Sequence, residues 1–563
     1  MRISDRPSDP SWGIPPFPDW VKAFRPEQLD AAREIESLFL GGANVVFLDA
    51  PTGAGKTLVG EMVRRRQRRR SMYLCTTKTL QDQFVTDFPY AKLIKGRNNY
   101  PVHDHPEQFG MSGIRHLSAA DCTKTRELLP ACSECPVDWD HQDEGLHCHH
   151  CHPWESCPYE LAKGDALSSN LVIANTSYFL HEANSVGRFG AGPVSSHRTP
   201  AFEFIVIDEA DSLEQELMRY VELVIPKRTI QRLNLPIPDK KTVSKGWPQW
   251  ALQAEHVLRN QAAVLSGQAH ATNPPDRDRL RQFKRISLLA DRVKEVGPQL
   301  NDGTWIYSGY DQGQIVMRPV KVDKQAHDAL WRHGKQFLLM SATIISPEQM
   351  AADLGLPRGT WGSVRTPSAF PIERRPVIIR PVANMTAKTK EDAWPKMLEG
   401  VRSILFTHPS ERILVHTVSY ALTEYLERGL NQPRVIAYSE AGQRDAVLNR
   451  FRSTPNAVLL APSFDRGVDL PDDECRVIVI TKIPFPYLGD KQVSARLYSP
   501  GGDGWYRMQT VRSMVQMSGR GMRHEGDACR TYILDRQFLS NIWRNSASII
   551  PAWWKEAIEW EAP

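Results

Sequence analysis

Residues 44–57 read NVVFLDAPTGAGKT: an apolar run, a turn carrying two glycines, then Lys56 and Thr57. The apolar run suits a buried parallel strand and the segment after Thr57 has helix length, so the local order is strand, loop, helix. Glycines in such a loop let backbone N–H groups turn inward and cradle phosphates at a helix N-terminus, while the lysine reaches the outer phosphates and the hydroxyl ligates magnesium. The candidate phosphate segment is therefore Ala50, Pro51, Thr52, Gly53, Ala54, Gly55, Lys56 and Thr57, with alanine in the first position where the usual pattern has glycine. Read this way, the stretch sets the fold class as α/β with doubly wound parallel sheets.

Further apolar runs at 71–76, 171–174, 204–207, 336–340, 412–416, 457–460 and 476–480 alternate with helix-length segments, which implies two α/β cores. A chain of 563 residues has room for both, since a domain averages ~150 residues. Residues 214–329 have a polar, helical texture and read as a helical insertion, and 365–380, RTPSAFPIERRPVIIR, reads as the linker between the cores. The expected division is 1–96, 161–213 and 330–368 for the first core, 97–160 for a cysteine-rich insertion, 214–329 for the helical insertion and 369–563 for the second core. Apolar residues make up 41% and charged residues 24%, which excludes wholesale disorder. A net charge of +5 leans only mildly towards polyanionic partners. No stretch reaches the ~18 apolar residues of a membrane span, and the Pro-rich start lacks an apolar signal region, so a cytoplasmic protein is expected.

The second phosphate-facing element is FIVIDEADS, 204–212, which delivers Asp208 and Glu209 to the carboxyl edge of a strand, where ligands of parallel sheets bind. Asp208 suits magnesium and Glu209 suits orienting or deprotonating an attacking water, because phosphoryl transfer needs positioning and charge neutralisation. The third is QMSGRGMR, 516–523, in which Arg520 and Arg523 lie one helical turn apart and can address one polyanion. Alone, that pair reads as a solvated basic face; behind Lys56 and Glu209 it reads as arginine fingers. The run of arginines within 64–70 follows the phosphate loop and reads as a solvated charge face.

Six of nine cysteines crowd one window: Cys122, Cys132, Cys135, Cys148, Cys151 and Cys157. In a reducing compartment such clustering points to metal. Two C-x-x-C pairs approach a zinc ribbon, with His147, His149, His150 and His152 as further donors, and four thiolates equally suit a [4Fe–4S] cluster. Cys75, Cys475 and Cys529 read as core residues.

Taken together these motifs resemble superfamily 2 helicases with a DEAD-box motif II, and within them the XPD/DinG-like group of iron–sulfur DNA helicases, of bacterial or phage type. RPEQ (25–28) is similar to the group's adenine-side motif, APTGAGKT to motif I, TTKTLQDQ (76–83) to motif Ia, DEAD to motif II, SAT (341–343) to motif III, FDRGVDLP (464–471) to motif V and QMSGRGMR to motif VI. KGRNNY (95–100), CPYELAK (157–163) and ANTSYFL (174–180) resemble the flanks of that group's cluster domain. The resemblance implies two RecA-like motor domains with a cluster domain and a helical Arch-like domain inserted into the first. It further implies ATP and Mg²⁺ as cofactors, single-stranded and tailed duplex DNA as partners, and 5′ to 3′ translocation and unwinding by a monomer.

By the same resemblance Arg25 and Gln28 face the nucleotide, Asp469 with Asp465 and Arg466 couples the two sites, Gln516 joins the arginines, and Cys122, Cys148, Cys151 and Cys157 hold the cluster. Cys132 and Cys135 are the reserve ligands, and zinc is the alternative metal. The alternative function is a single-strand-stimulated ATPase that remodels nucleoprotein complexes without separating strands. A non-catalytic zinc-binding module would need Lys56, Glu209 and Arg523 idle. Lys78, Thr79, Gln81, Arg97, Tyr100, Thr417 and Tyr420 are candidate nucleic-acid contacts, since a motor that passes any sequence holds phosphates and stacks bases.

Overall fold

The computed structural model describes residues 17–101, 158–185, 189–192, 199–239, 242–272, 276–311, 313–438, 444–462, 470–522 and 526–561. In chain order the strands are β1 (Val45–Asp49), β2 (Ser71–Cys75), β3 (Lys92–Leu93), β4 (Leu171–Asn175), β5 (Phe204–Asp208), β6 (Leu223–Ile225), β7 (Trp305–Asp311), β8 (Gln314–Pro319), β9 (Gln336–Ser341) and β10 (Trp361–Arg365). They continue as β11 (Val377–Ala383), β12 (Ile413–His416), β13 (Val435–Ala437), β14 (Val458–Ala461), β15 (Val477–Ile480), β16 (Arg530–Asp535) and β17 (Ile558–Trp560).

Two seven-stranded sheets result, ordered β10-β1-β9-β5-β2-β4-β3 and β13-β14-β12-β15-β16-β11-β17. Every pairing within them is parallel, so both are RecA-like α/β cores of the expected class. The runs that form the inner strands are apolar throughout because helices cover both faces; β1, β2, β12, β14 and β15 are buried end to end. All eight apolar runs read from the sequence are strands to within about a residue at either end, a margin that assignment alone produces.

Other strands escaped that reading for identifiable reasons. β10 (WGSVR) is an edge strand with only one fully buried residue. β11 contains Pro381, which no interior ladder tolerates without a break, and the register with β16 shifts between Ile379 and Ala383 around it. The linker is shorter than 365–380, because Arg365 still belongs to β10 and β11 already begins at Val377.

The 214–329 segment is helical only in part. Its two long helices, Trp247–His270 and Arg277–Asn301, pack on an antiparallel sheet ordered β6-β8-β7, with Trp247, Trp250, Leu258, Ile286 and Val293 filling the seam. No helix among the described residues is long and apolar enough to cross a membrane.

The arginine run is a solvated face only in part, with Arg68 exposed and its first two members enclosed. Arg64 and Arg65 are buried, and both grip Glu61, itself 1% exposed, at 2.6 and 2.8 Å. Tyr90 donates its hydroxyl to the same carboxylate at 2.8 Å, and Arg65 lies over the Phe17 ring. Arg66 forks onto Glu36. Burial opposes ionisation of Glu61, but Arg64 and then Arg65 outweigh it and hold the carboxyl below its usual range. The helix behind the phosphate loop is thus locked in place by charges that would be costly to leave unpaired. At the other end of the chain Trp554 is buried and donates to Ser518 Oγ at 2.7 Å, and Trp543 and Trp553 pack against the second core, whereas Trp560 is half exposed.

Glu61→Ala leaves two guanidiniums buried without their partner, and should cost about 3–5 kcal/mol in denaturant unfolding at pH 7. Because the folded pKa is lowered, the deficit against wild type should shrink as pH falls below the usual glutamate value.

Candidate nucleotide site

Ala50 leaves β1 with its N–H donating to Ser341 O at 3.0 Å, and its side chain is buried, so alanine serves where glycine is usual. Gly53 and Gly55 both have φ of 77°, the left-handed region. A Cβ on Gly53 would stand 2.4 Å from the Phe370 ring and one on Gly55 2.3 Å from the Gln28 amide, so neither position accepts a side chain. Lys56 then opens the Lys56–Gln67 helix. Arg25 Nη2 donates to Gly53 O at 2.7 Å and Gln28 Nε2 to Ala54 O at 3.1 Å, while the Arg25 backbone N–H donates to Gln28 Oε1. Arg25 and Gln28 therefore hold the loop itself. Pro51 and Thr52 line a small cavity of about 40 Å³ with Phe370, Ser518, Gly519, Met522 and Trp554, which places the first and second cores on either side of the loop.

At the end of β5 Asp208 accepts from Tyr73 Oη at 3.2 Å and from the Glu209 N–H at 3.0 Å. The same Tyr73 hydroxyl interacts with Thr57, so one phenol brings together the hydroxyl and the carboxylate suited to magnesium. A hydroxyl and a carboxylate are hard oxygen donors of the kind Mg²⁺ takes alongside phosphate oxygens, and this donor set fits the ion. Glu209 has φ of 50°, a strained conformation for a side chain of this size. Its carboxyl is pushed up to about 7 by burial, then by Asp211, with Lys56 opposing, Asp208 adding and Arg520 opposing. Asp208 is likewise raised, first by burial. Arg520 is thus close enough to act on Glu209.

The second core reaches this cluster through the Gly502–Ser518 helix. Gln516 Nε2 donates to Asp211 Oδ2 at 2.7 Å and to Thr343 Oγ1 at 3.0 Å, and Ser341 Oγ donates to Asp211 Oδ1 at 2.8 Å. Motifs II, III and VI share one hydrogen-bonded knot. One turn earlier Arg512, 2% exposed, donates to the carbonyls of Thr343, Asp211 and Ile344 at 3.0, 3.2 and 3.3 Å. The sequence reading missed Arg512. Its signal was a charge four residues before Gln516, and so on the same face, in the apolar second half of that helix. Tyr73 was missed too, as an ordinary aromatic inside a strand.

Arg523 and Asp469 lie outside the described residues, as do Asp465, Arg466 and all six clustered cysteines, Cys122, Cys132, Cys135, Cys148, Cys151 and Cys157. Among the candidate nucleic-acid contacts, Lys78, Thr79 and Tyr420 are exposed, and Tyr100 is partly so. Gln81 and Thr417 are not available, since Gln81 is 1% exposed and the Thr417 hydroxyl is buried against Thr423 at 2.6 Å. Arg97 is exposed but paired with Glu160 at 3.1 Å and set over the Tyr159 ring. Cys75, Cys475 and Cys529 are buried thiols.

Two RecA-like cores, with a phosphate loop and an acidic strand end on one met by a glutamine and arginines from the other, resemble the arrangement of the superfamily 2 motor class. Within that class the chain resembles the XPD/DinG-like helicases. Residues 402–557 match the Helicase C-terminal domain family. The chain is 21% identical to the ATP-dependent DNA helicase YoaA of Haemophilus influenzae over 92% of each chain. It is 24% identical to the ATP-dependent DNA helicase DinG of Photobacterium profundum over 49% of this chain and 43% of that one. The solved structure of S. tokodaii Xpd4 superposes with a TM-score of 0.54 at 17% identity, covering 96% of this chain and 100% of that chain.

A Glu209 that takes the proton of the attacking water, as the motif resemblance implies, has to be ionised, so kcat/KM for ATP should fall as pH drops below about 7. Arg520→Ala removes an opposing positive charge and should move that acid limb upward. Because the folded pKa is raised, ionising Glu209 destabilises the fold as pH rises through about 7. Glu209→Gln should therefore be more stable than wild type at pH 8, by about 1–3 kcal/mol, with the gap closing below pH 5.

Proposed function

We propose that the chain is an ATP-dependent DNA helicase that translocates 5′ to 3′ along single-stranded DNA. The observation that carries this reading is the Asp211, Thr343 and Gln516 knot, in which the second core completes the nucleotide site of the first. A site divided between two cores makes nucleotide occupancy and core position one equilibrium, which is what a translocating motor requires. Lys56 and the loop N–H groups hold the phosphates, Thr57 and Asp208 hold magnesium, and Glu209 orients the water. Arg520 and Arg523 steady the charge that develops on the transferred group. Magnesium, when bound, neutralises the phosphate oxygens. The DNA substrate is the one the relatives' names print, whereas the 5′ to 3′ polarity and the division into two motor domains with cluster and Arch-like insertions rest on the motif resemblance alone. The 122–157 window is assigned to a [4Fe–4S] cluster on Cys122, Cys148, Cys151 and Cys157, with zinc as the alternative metal.

A strand-displacement assay should show ATP-dependent unwinding of 5′-tailed and not 3′-tailed duplexes. Hydrolysis stimulated by single strands without any displacement would instead favour a remodelling translocase. Arg523→Ala should lose ATP turnover by about 10³-fold or more while keeping its unfolding transition. Protein purified without oxygen should carry about four irons and four acid-labile sulfides per chain, as one [4Fe–4S] cluster requires. Stoichiometric zinc without iron would overturn the cluster.

A further inference from the structure

Parallel register in the first sheet sets Asp49, the last residue before the phosphate loop, opposite Ser341 of β9 on one side and opposite Arg365 of β10 on the other. These three strand ends meet the turn that follows the SAT motif. In that turn Ile345 has φ of 66°, a left-handed conformation that a β-branched side chain adopts only when its surroundings impose it. Its side chain is 2% exposed.

Three successive carbonyls of the turn are each held by a guanidinium. Thr343 O and Ile344 O accept from Arg512 of the second core, and Ile345 O accepts from Arg365 Nη2 at 3.1 Å. Arg365 Nε also lies 3.4 Å from Asp49 Oδ2. Asp49 is 6% exposed. The Ile344 amide faces its carboxylate, yet Oδ1 closes no hydrogen bond, and Arg365 stands within ion-pair distance of this buried carboxylate. Burial lifts the Asp49 carboxyl to about 6, and Arg365 is the first group that opposes this. Directly after Arg365, the Thr366 N–H donates to Asp49 O at 3.1 Å and the chain departs for the second core. Beside this junction a cavity of about 460 Å³ separates Ile345, Ser346 and Arg365 from Ser548 and Ile549 of the second core, which leaves room for the cores to move.

We propose that Arg365 is a positioning residue for ATP turnover: by holding the Ile345 carbonyl and Asp49 together it keeps the strained turn in the register that Arg512 grips, and so ties the phosphate loop to the position of the second core. This rests on the reading of the site as an ATP-hydrolysing motor. Lysine at 365 would keep the charge but not the fork that reaches two acceptors at once.

The full-length chain, Arg365→Ala, Arg365→Lys and the double variant Asp49→Asn with Arg365→Ala should be compared in oligo-dT-stimulated ATP hydrolysis from pH 6 to 8. Hydrogen exchange on the nucleotide-free proteins should accompany it. Arg365→Ala should lower kcat about tenfold and keep KM for ATP within about twofold. Arg365→Lys should regain part of kcat, and the double variant should be no worse than Arg365→Ala. Amides of 342–346 should exchange about tenfold faster in Arg365→Ala. Wild-type kcat in Arg365→Ala would overturn the proposal, as would a loss that Arg365→Lys does not relieve and that accompanies a fall in Tm of roughly 5 °C or more. Should wild type hydrolyse no ATP at all, the motor reading fails, and the exchange result alone decides the positioning role: unchanged protection at 342–346 overturns it, faster exchange supports it.

Discussion

The carboxylate of Asp211 accepts from Ser341 of the first core and from Gln516 of the second. It lies two residues beyond Glu209, and Gln516 also binds Thr343, so the acidic strand end, the SAT turn and the second core share a single set of hydrogen bonds. The groups involved are buried or nearly so, which makes each bond costly to break singly and favours discrete over gradual rearrangement. The phosphate loop joins the same network at its entrance, through Ala50 N–H on Ser341 O.

Charge crowding explains how the site stays poised. Asp208, Glu209 and Asp211 occupy one strand end, and burial together with mutual repulsion raises Asp208 and Glu209 against the pull of Lys56. Such a cluster suits a divalent cation, and Arg520 approaches it from the second core. A second buried ionic group sits behind it, where Arg496, fully buried, pairs with Asp353 and lies 3.7 Å from Glu214, to which Trp505 donates at 2.9 Å. Glu214 is pushed up to about 7 by burial and then by Asp353. The two cores therefore meet through paired charges and carbonyl-bound arginines as well as apolar contact. Charge pairs specify one geometry more than they add stability.

The comparison of Arg64 and Arg65 with Arg97 and Gln81 shows where one-dimensional reading loses its grip. A run of arginines looks solvated until Glu61, three and four residues away on the same helix, and Tyr90 on a neighbouring segment are seen to close around it. Gln81 looks like a polar loop residue until the helix carrying it turns that face inward. Helical and strand periods say which residues share a face, but not whether that face meets solvent or another element.

From the amino-acid order alone came the α/β class, the eight principal strands, the phosphate loop, the acidic strand end and the glutamine and arginine of motif VI, because each rests on local chemistry: apolar runs, glycines that permit positive φ, carboxylates at strand ends. Tertiary structure alone decided that Gln516 and Arg512 close on Asp211 and the SAT turn, that Arg365 stands beside Asp49, and that Arg64 and Arg65 are buried. The first of these outcomes joins residues 130 positions apart at the ends of neighbouring parallel strands and 305 positions apart between the two cores. No local preference encodes that adjacency; the packing of two sheets and their covering helices does.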